Sequence, residues 1–144
     1  MNKKYKVGYT AGVYDLFHIG HLNILKKAKE QCEYLIVAVS TDELVNKYKN
    51  KVPIIPYEER KAIVESIRYV DEVVPQVNRD KIVAYEQYHF DVMFVGDDWK
   101  GSDVFEKVDV YMRERGGRVE YVSYTQNVSS TFLKEVLNKI YEEK

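Results

Sequence analysis

The chain has 144 residues, a length that fits one domain, residues 1–144. Its formal net charge is −1, so it lacks the overall positive charge that would favour nucleic-acid binding. Its one cysteine, Cys32, cannot form an internal disulfide, no apolar run approaches the ~20 residues that span a bilayer, and the first residues lack the apolar segment of a signal peptide. These features exclude a disulfide scaffold and a membrane-inserted protein, and they predict a cytoplasmic protein with no nucleic-acid partner.

Short apolar runs alternate with amphipathic segments along the chain. The runs predict strands over 5–13, 34–40, 71–76, 91–96 and 118–124, and apolar residues at helical spacing predict helices over 19–31, 57–69, 78–89, 103–116 and 129–142. Strands that are apolar on both faces and alternate with helices predict an α/β fold: a doubly wound, Rossmann-like, mainly parallel five-stranded sheet with helices on both faces. The segment NKYKNKVPIIP (46–56), with its lysines and two prolines, predicts a loop that could fold over a ligand.

Ligands of such folds bind at the carboxyl ends of the strands, and the first of these ends carries the stretch GVYDLFHIGH, residues 12–21. His18 is expected where the first helix begins and His21 in its first turn, on nearly the same face. A helix amino terminus favours phosphate, two imidazoles there could donate hydrogen bonds to it, and Gly20 would let a ligand come close. Alternatively, His18 merely caps the helix and His21 belongs to the core. A zinc site is poorly supported, because no nearby Cys or carboxylate completes the ligand set.

The stretch GVYDLFHIGH resembles the G-[TVS]-[FY]-D-x-x-H-x-G-H signature of the cytidylyltransferase branch of the nucleotidyltransferase superfamily. Four further stretches follow in the order and spacing of bacterial glycerol-3-phosphate cytidylyltransferases: VSTDE (39–43), YEERKAIVESIRYVDEVVP (57–75), FVGDDWKG (94–101) and VSSTFLK (128–134). The resemblance covers nearly the whole chain. It implies a homodimer in which the phosphate of a small phosphorylated alcohol attacks the α-phosphorus of CTP and releases pyrophosphate.

The resemblance also implies which residues hold the nucleotide. His18, His21 and Lys51 would act on the CTP phosphates during transfer. The residues expected to form the rest of the nucleotide site are Gly12, Val13, Tyr14, Asp15, Gly20, Ser129, Ser130 and Thr131. A buried carboxylate beside phosphate is costly unless amides or a metal bind it, so Asp15 is as easily explained by support of the loop. Helix capping alone would explain one of the three hydroxyl residues.

For the acceptor, the resemblance points to Lys49, Lys81, Asp98 and Trp99. Three of them have a simpler explanation: solvated charge for the two lysines and a packing anchor for Trp99. Lys47 could replace Lys49 in a slipped alignment, and a carboxylate at Asp98 could bind a glycerol hydroxyl.

Three residues are expected to support the site, namely Arg60, Arg68 and Asp71. The two arginines are eight residues apart, close to two helical turns, so both could face one side. Arg68, beside Tyr69 and Asp71, is most simply explained by a structural ion pair, whereas the resemblance suggests that Arg68 and Asp71 shape the site or the subunit contact.

One position departs from the family pattern. The bacterial enzymes carry an arginine shortly before the serine-rich segment, as in R-T-x-x-x-I-S-T-T, and Ser123 stands in its place here. Serine cannot copy the bidentate, always-charged contacts of arginine, so the acceptor and the mode of nucleotide binding are the open points.

The leading interpretation is synthesis of CDP-glycerol from CTP and sn-glycerol 3-phosphate for cell-wall or capsule polymers. Mg²⁺ is expected to arrive with CTP, because Mg²⁺ commonly binds substrate phosphates and no protein metal site is evident. The same transfer to phosphocholine, phosphoethanolamine or another polyol phosphate remains open, and cation–π contacts from the tyrosines would suit choline. A regulatory module that binds nucleotide without turnover is the alternative from another class, and adenylyl transfer fits the motifs less well.

Overall fold

The computed structural model describes residues 3–123 and 129–142, which form five strands and six α-helices. The strands are β1 (Tyr5–Gly12), β2 (Cys32–Ser40), β3 (Glu72–Gln76), β4 (Val92–Gly96) and β5 (Arg118–Val122). The helices are α1 (Ile19–Gln31), α2 (Asp42–Lys49), α3 (Tyr57–Glu65), α4 (Lys81–Tyr88), α5 (Asp103–Arg113) and α6 (Ser130–Glu142), with a 3₁₀ turn over Asp97–Trp99. None of the helices in these two ranges combines the length and apolarity needed to cross a membrane.

All five strands are parallel, in the spatial order β3-β2-β1-β4-β5. The chain builds outwards from β1 to β3 on one side and then returns to build β4 and β5 on the other. The connections that follow β1 and β4 therefore diverge at the carboxyl edge of the sheet, and this divergence leaves a crevice between them. The doubly wound parallel sheet predicted from the sequence is confirmed.

Helices cover both faces of the sheet because the strands are apolar on both. Along β2, Leu35, Val37 and Val39 pack in one core layer with residues of α1 and α3, whereas Ile36 and Ala38 belong to the other layer with residues of α4 and α5. The strict alternation of these neighbours between the two layers follows from the two-residue period of a strand. Every predicted strand and helix is present, and most ends agree within one to four residues.

The segment predicted as a loop over 46–56 is helical in its first part. Residues 46–49 form the second half of α2, which the Thr41 hydroxyl caps by accepting the Leu44 amide at 3.2 Å. Asn50, at φ 56°, ends the helix in the left-handed conformation, and only the residues beyond it form the predicted loop. The last two residues of the predicted strand 118–124 divide: Ser123 follows β5, and Tyr124 lies outside the described residues.

Gly8 lies where β1 packs closest to its neighbours, which makes the site sensitive to added volume. A Cβ at this position would lie 2.6 Å from Cε2 of Phe94 and 2.8 Å from Sγ of Cys32, both buried. We expect Gly8→Ala to lower the free energy of unfolding by about 1–3 kcal/mol, because the core must shift to admit the methyl group. Urea unfolding measures this change, and a Gly8→Ala protein as stable as the wild type would contradict it.

Candidate active site

A cavity of about 470 Å³ opens at the carboxyl edge of the sheet, at the crevice between the connections that follow β1 and β4. Its floor consists of strand residues such as Tyr9, Thr10 and Met93. Its walls come from the β1–α1 connection, the end of α2 and the loop after it, the start of α4, the 3₁₀ turn and the start of α6. Segments distant in sequence therefore converge on one space.

Most of the residues singled out from the sequence line this cavity. They are Gly12, Val13, Tyr14, Asp15, His21, Lys49, Lys51, Lys81, Asp98, Trp99, Ser129, Ser130 and Thr131. His18 and Gly20, in the cap of α1, are not among the lining residues, and neither is Arg60, which donates a hydrogen bond to the carbonyl oxygen of the lining residue Val13. Arg68 and Asp71 are not brought to the cavity. Asp71 instead accepts hydrogen bonds from the Leu35 amide and Lys29, near the start of β2, and Arg68 is exposed.

The connection between β1 and α1 has an unusual backbone. Tyr14 and Leu16 adopt positive φ angles of 57° and 51°, a region that residues with a Cβ seldom occupy. The buried Tyr14 ring lies over Gly12, where a Cβ would be 3.1 Å from two ring carbons. The absence of a side chain at Gly12 therefore allows the Tyr14 ring to pack against the backbone of the preceding strand end.

His18 and His21 form a reciprocal cap at the amino terminus of α1. Nδ1 of His18 accepts the Gly20 amide at 3.0 Å, and Nδ1 of His21 accepts the His18 amide at 3.2 Å. The two rings stack with centroids 3.9 Å apart. A nitrogen that accepts a hydrogen bond carries no proton, so in both neutral rings the proton resides on Nε2.

This arrangement prepares two neutral hydrogen-bond donors. Burial, with a smaller contribution from the neighbouring His18, lowers the pKa of His21 to about 4, and Asp15 opposes the shift. Burial also lowers the pKa of His18. Nε2 of His18 is buried and has no partner in the described part of the chain, so a ligand acceptor placed there would satisfy it.

A pH titration tests this assignment of the histidine protons. We expect long-range proton–nitrogen NMR of the free protein at pH 7 to show both rings as the Nε2–H tautomer, with His21 protonating only towards pH 4. Because the folded pKa lies below the ordinary 6.5, the unfolded chain binds more protons between these values, and stability falls as the pH drops from about 6.5 towards 4. An Nδ1–H signal from either ring, assigned with His18→Gln and His21→Gln proteins, would contradict the capping scheme.

Asp15 is a structural centre of the cavity wall. It is 2% exposed, and its carboxylate accepts the Ile54 and Ile55 amides at 2.8 and 2.9 Å and Nζ of Lys134 at 2.8 Å. Burial alone would raise the pKa of Asp15, but these bonds and the Lys134 charge outweigh it and lower the pKa. Asp15 thereby ties the β1–α1 loop to the loop after α2 and to α6. This bonding matches the supporting role considered from the sequence.

The Arg60 guanidinium organises the same region from below. Its side chain is completely buried, and it donates to the carbonyl oxygens of Val13, Ser40 and Ile55 at 2.7, 2.7 and 2.8 Å. It also pairs with Asp42 at 2.6 Å. Arg60 thus joins the ends of β1 and β2 to the loop before α3, and the fixed fork of the guanidinium suits four acceptors in different directions.

Basic side chains dominate the cavity charge. Among its described lining residues five are basic, and two, Asp15 and Asp98, are acidic; the basic ones are Lys49, Lys51, Arg79, Lys81 and Lys134. Burial lowers the pKa of Lys81 to about 8, with a contribution from Arg79. Burial, then Lys51, Lys134 and Arg79, lower the pKa of Lys49. Five cationic side chains around one cavity mark a space suited to a multiply charged anion.

Arg79, Lys134 and Tyr48 are lining residues that the sequence analysis missed. Arg79 lies in the connection before α4, outside the stretches that resemble the family. Lys134 belongs to the quoted VSSTFLK stretch, one turn after Ser130, and that spacing from a predicted phosphate-binding serine was the available signal. Tyr48 lies in the segment taken for an irregular loop.

The serine-rich start of α6 has divided roles. The Ser129 hydroxyl accepts the Phe132 amide at 3.0 Å, which is the capping role expected of one such residue. The Ser130 hydroxyl donates to the carbonyl oxygen of Asp15, and Thr131 lines the cavity. The Lys27 ammonium donates to the carbonyl oxygen of Ser123 at 3.2 Å and also contacts its hydroxyl, and neither residue lines the cavity.

The 3₁₀ turn after β4 forms the opposite rim. Trp99 is 48% exposed, and its ring meets Phe105 edge-on with centroids 5.5 Å apart. The adjacent Asp98 carboxylate is exposed at the same rim. Within residues 3–123 and 129–142, no group of three or more His, Cys, Asp or Glu side chains is placed to hold a metal ion.

A Rossmann-like sheet with two histidines and a glycine at the start of α1, and with five cationic side chains lining its crevice, is typical of a nucleotide-binding transferase. Comparison with known proteins gives the family: the cytidylyltransferase-like family model matches residues 9–136, and the chain belongs to this family of nucleotidyltransferases.

Similar proteins include a glycerol-3-phosphate cytidylyltransferase from Bacillus subtilis (strain 168), which is 42% identical over 127 residues, 88% of this chain and 92% of that protein. Another, from Staphylococcus aureus (strain NCTC 8325 / PS 47), is 41% identical over 129 residues, 89% of this chain and 92% of that protein. The fold also matches the lipopolysaccharide core biosynthesis protein of Thermoplasma volcanium GSS1, with a TM-score of 0.69 and 22% identity over 86% of this chain and 99% of that one.

Proposed function

We propose that the protein is a glycerol-3-phosphate cytidylyltransferase, which converts CTP and sn-glycerol 3-phosphate to CDP-glycerol and pyrophosphate. The observation that carries the proposal is the His18–His21 cap, which fixes two neutral Nε2–H donors beside a cavity lined by cations. The family membership and the bacterial relatives with this activity support it.

In the proposed reaction a phosphate oxygen of glycerol 3-phosphate attacks the α-phosphorus of CTP. A new oxygen–phosphorus bond forms, the bond from the α-phosphorus to the bridging oxygen breaks, and that oxygen leaves with pyrophosphate. No covalent protein intermediate is needed, so the protein contributes position and charge stabilisation.

The described residues divide this work between them. His21, on the cavity wall, would donate from Nε2 to the reacting phosphate, and His18 would donate from its buried Nε2 to a neighbouring phosphate oxygen. Lys51 would hold the nucleotide phosphates and Lys49 the acceptor phosphate. Lys81 would add a second positive charge at the acceptor side. Because neutral donors keep their protons through the step, transfer requires no proton exchange with the histidines.

We propose that CTP enters as its Mg²⁺ complex, which would neutralise part of the triphosphate charge. This proposal rests on the chemistry of the substrate. Of the two acidic residues that line the cavity, Asp15 is paired with Lys134, and Asp98 is exposed at the rim. Titration of the pyrophosphate-release rate with Mg²⁺ at fixed CTP tests it.

Pyrophosphate release by the purified protein tests the activity. CTP or ATP with Mg²⁺ is supplied against glycerol 3-phosphate, phosphocholine, phosphoethanolamine and other polyol phosphates. We expect release with CTP and glycerol 3-phosphate, and a CDP-glycerol product identified by mass spectrometry. Release only with another acceptor would show the same cytidylyl transfer to a different substrate. CTP binding without release from any acceptor tested would contradict the proposed enzymatic activity.

We further propose that the protein works in the cytoplasm as a homodimer and supplies CDP-glycerol for cell-wall or capsule polymers. The support is the resemblance to the bacterial enzymes. Light scattering of the purified protein tests the dimer.

A further inference from the structure

Arg79 is a basic residue of the cavity whose guanidinium lies over an aromatic ring. It lies in the connection between β3 and α4, and its guanidinium carbon sits 4.3 Å from the centroid of the Tyr48 ring. Tyr48 also lines the cavity, and Lys49 Nζ lies 5.7 Å from the same ring centroid. The Tyr48 ring is therefore already in contact with two cations of the protein, Arg79 and Lys49.

This arrangement bears on the choice of acceptor. A phosphorylated alcohol with a quaternary ammonium, such as phosphocholine, is recognised by free aromatic faces and nearby carboxylates. Here the guanidinium takes the place that such a cation would need, and its charge would repel it. Arg79 also lowers the pKa of Lys49 and Lys81, so its field reaches both lysines proposed for the acceptor side.

The remaining charges of the cavity agree. Of the two acidic lining residues, Asp15 is already paired with Lys134. Asp98 is then the one remaining negative charge among the described lining residues, and four positive charges remain: Lys49, Lys51, Arg79 and Lys81. Trp99, beside Asp98, is the one feature that would favour a cationic group, since an indole with a neighbouring carboxylate suits an ammonium. The balance of charge favours an acceptor that is anionic or neutral beyond its phosphate.

We propose that Arg79, held on Tyr48, is a specificity-determining residue that excludes acceptors carrying an ammonium group and selects phosphorylated polyols. The proposal rests on the cytidylyltransferase function proposed above. It adds a residue and a substrate class that follow from the Arg79–Tyr48 contact.

The test compares wild type with Arg79→Gln, Arg79→Lys and a matched control, Arg115→Gln. Arg115 stacks on Tyr111 with its guanidinium carbon 3.5 Å from the ring centroid, and neither residue lines the cavity. Pyrophosphate release with Mg²⁺, CTP and varied glycerol 3-phosphate is measured with phosphocholine as competitor, which yields an inhibition constant even when phosphocholine is not turned over. Thermal melting checks that each variant is folded.

We expect Arg79→Gln to lower the inhibition constant of phosphocholine relative to the KM of glycerol 3-phosphate by about tenfold or more, because a like charge has been removed. Arg79→Lys should keep most of the discrimination, and Arg115→Gln should match the wild type. A ratio that is the same in Arg79→Gln and wild type, or no inhibition by phosphocholine in either, would overturn the role of Arg79 while leaving the proposed function standing. No pyrophosphate release by wild type with CTP and glycerol 3-phosphate would overturn the proposed function and, with it, this inference.

Discussion

Replacement of His21 by asparagine is expected to lower kcat by about 10²- to 10³-fold, the usual cost of removing one positioned donor from a developing negative charge. The choice of asparagine follows from the geometry of the cap. Its side-chain oxygen can take the place of Nδ1 and accept the His18 amide, whereas nothing replaces the Nε2–H of this cavity-lining residue. Pyrophosphate release with Mg²⁺, CTP and glycerol 3-phosphate measures the change.

A companion variant separates catalysis from capping. In His21→Ala both functions are lost, so its melting temperature should fall, since capping side chains contribute about 1 kcal/mol. His21→Asn should melt near the wild type and be as inactive as His21→Ala. If His21→Asn retains nearly full turnover, the donor role of Nε2 is wrong, whatever the stability of the two proteins.

The position of His18 and His21 at the start of α1 could be predicted from the sequence because the information for it is local. The glycines and histidines of GVYDLFHIGH lie within ten residues, and a strand end followed by a helix start places them without reference to the rest of the fold. The carboxyl-edge position of Asp98 and Trp99 followed in the same way from the strand before them. Local period and helix-end chemistry were sufficient for these elements.

Other parts depended on contacts that no local pattern contains. The helix α2 has only eight residues, about two turns, and its lysines and the prolines that follow it gave no clear apolar stripe. From its sequence context Lys134 looks like a solvated helix lysine, but in the folded protein it pairs with Asp15, 119 residues earlier in the chain. Arg79 acquires its meaning only from the Tyr48 ring beneath it. Sequence spacing predicts neither contact, because both are tertiary.

Arg60 illustrates the same limit with the largest expected effect on stability. The sequence suggested that Arg60 and Arg68 are equivalent supports on one helix side, yet Arg60 is completely buried and Arg68 is exposed. We expect Arg60→Met to lower the free energy of unfolding by about 3 kcal/mol or more, because the carbonyl oxygens of Val13, Ser40 and Ile55 would be left without their donor and Asp42 without its partner.

Arg68→Met is the matched control, with an expected change within about 0.5 kcal/mol because its side chain is exposed. Urea unfolding of both proteins measures the difference. Arg60→Lys should fall between Arg60→Met and wild type, since one ammonium cannot reach acceptors that the guanidinium fork contacts in several directions. Equal stability of Arg60→Met and Arg68→Met would show that the ends of β1 and β2 hold their positions without Arg60. In that event the geometry of the β1–α1 loop would depend mainly on Asp15, whose replacement by asparagine would then give the larger loss.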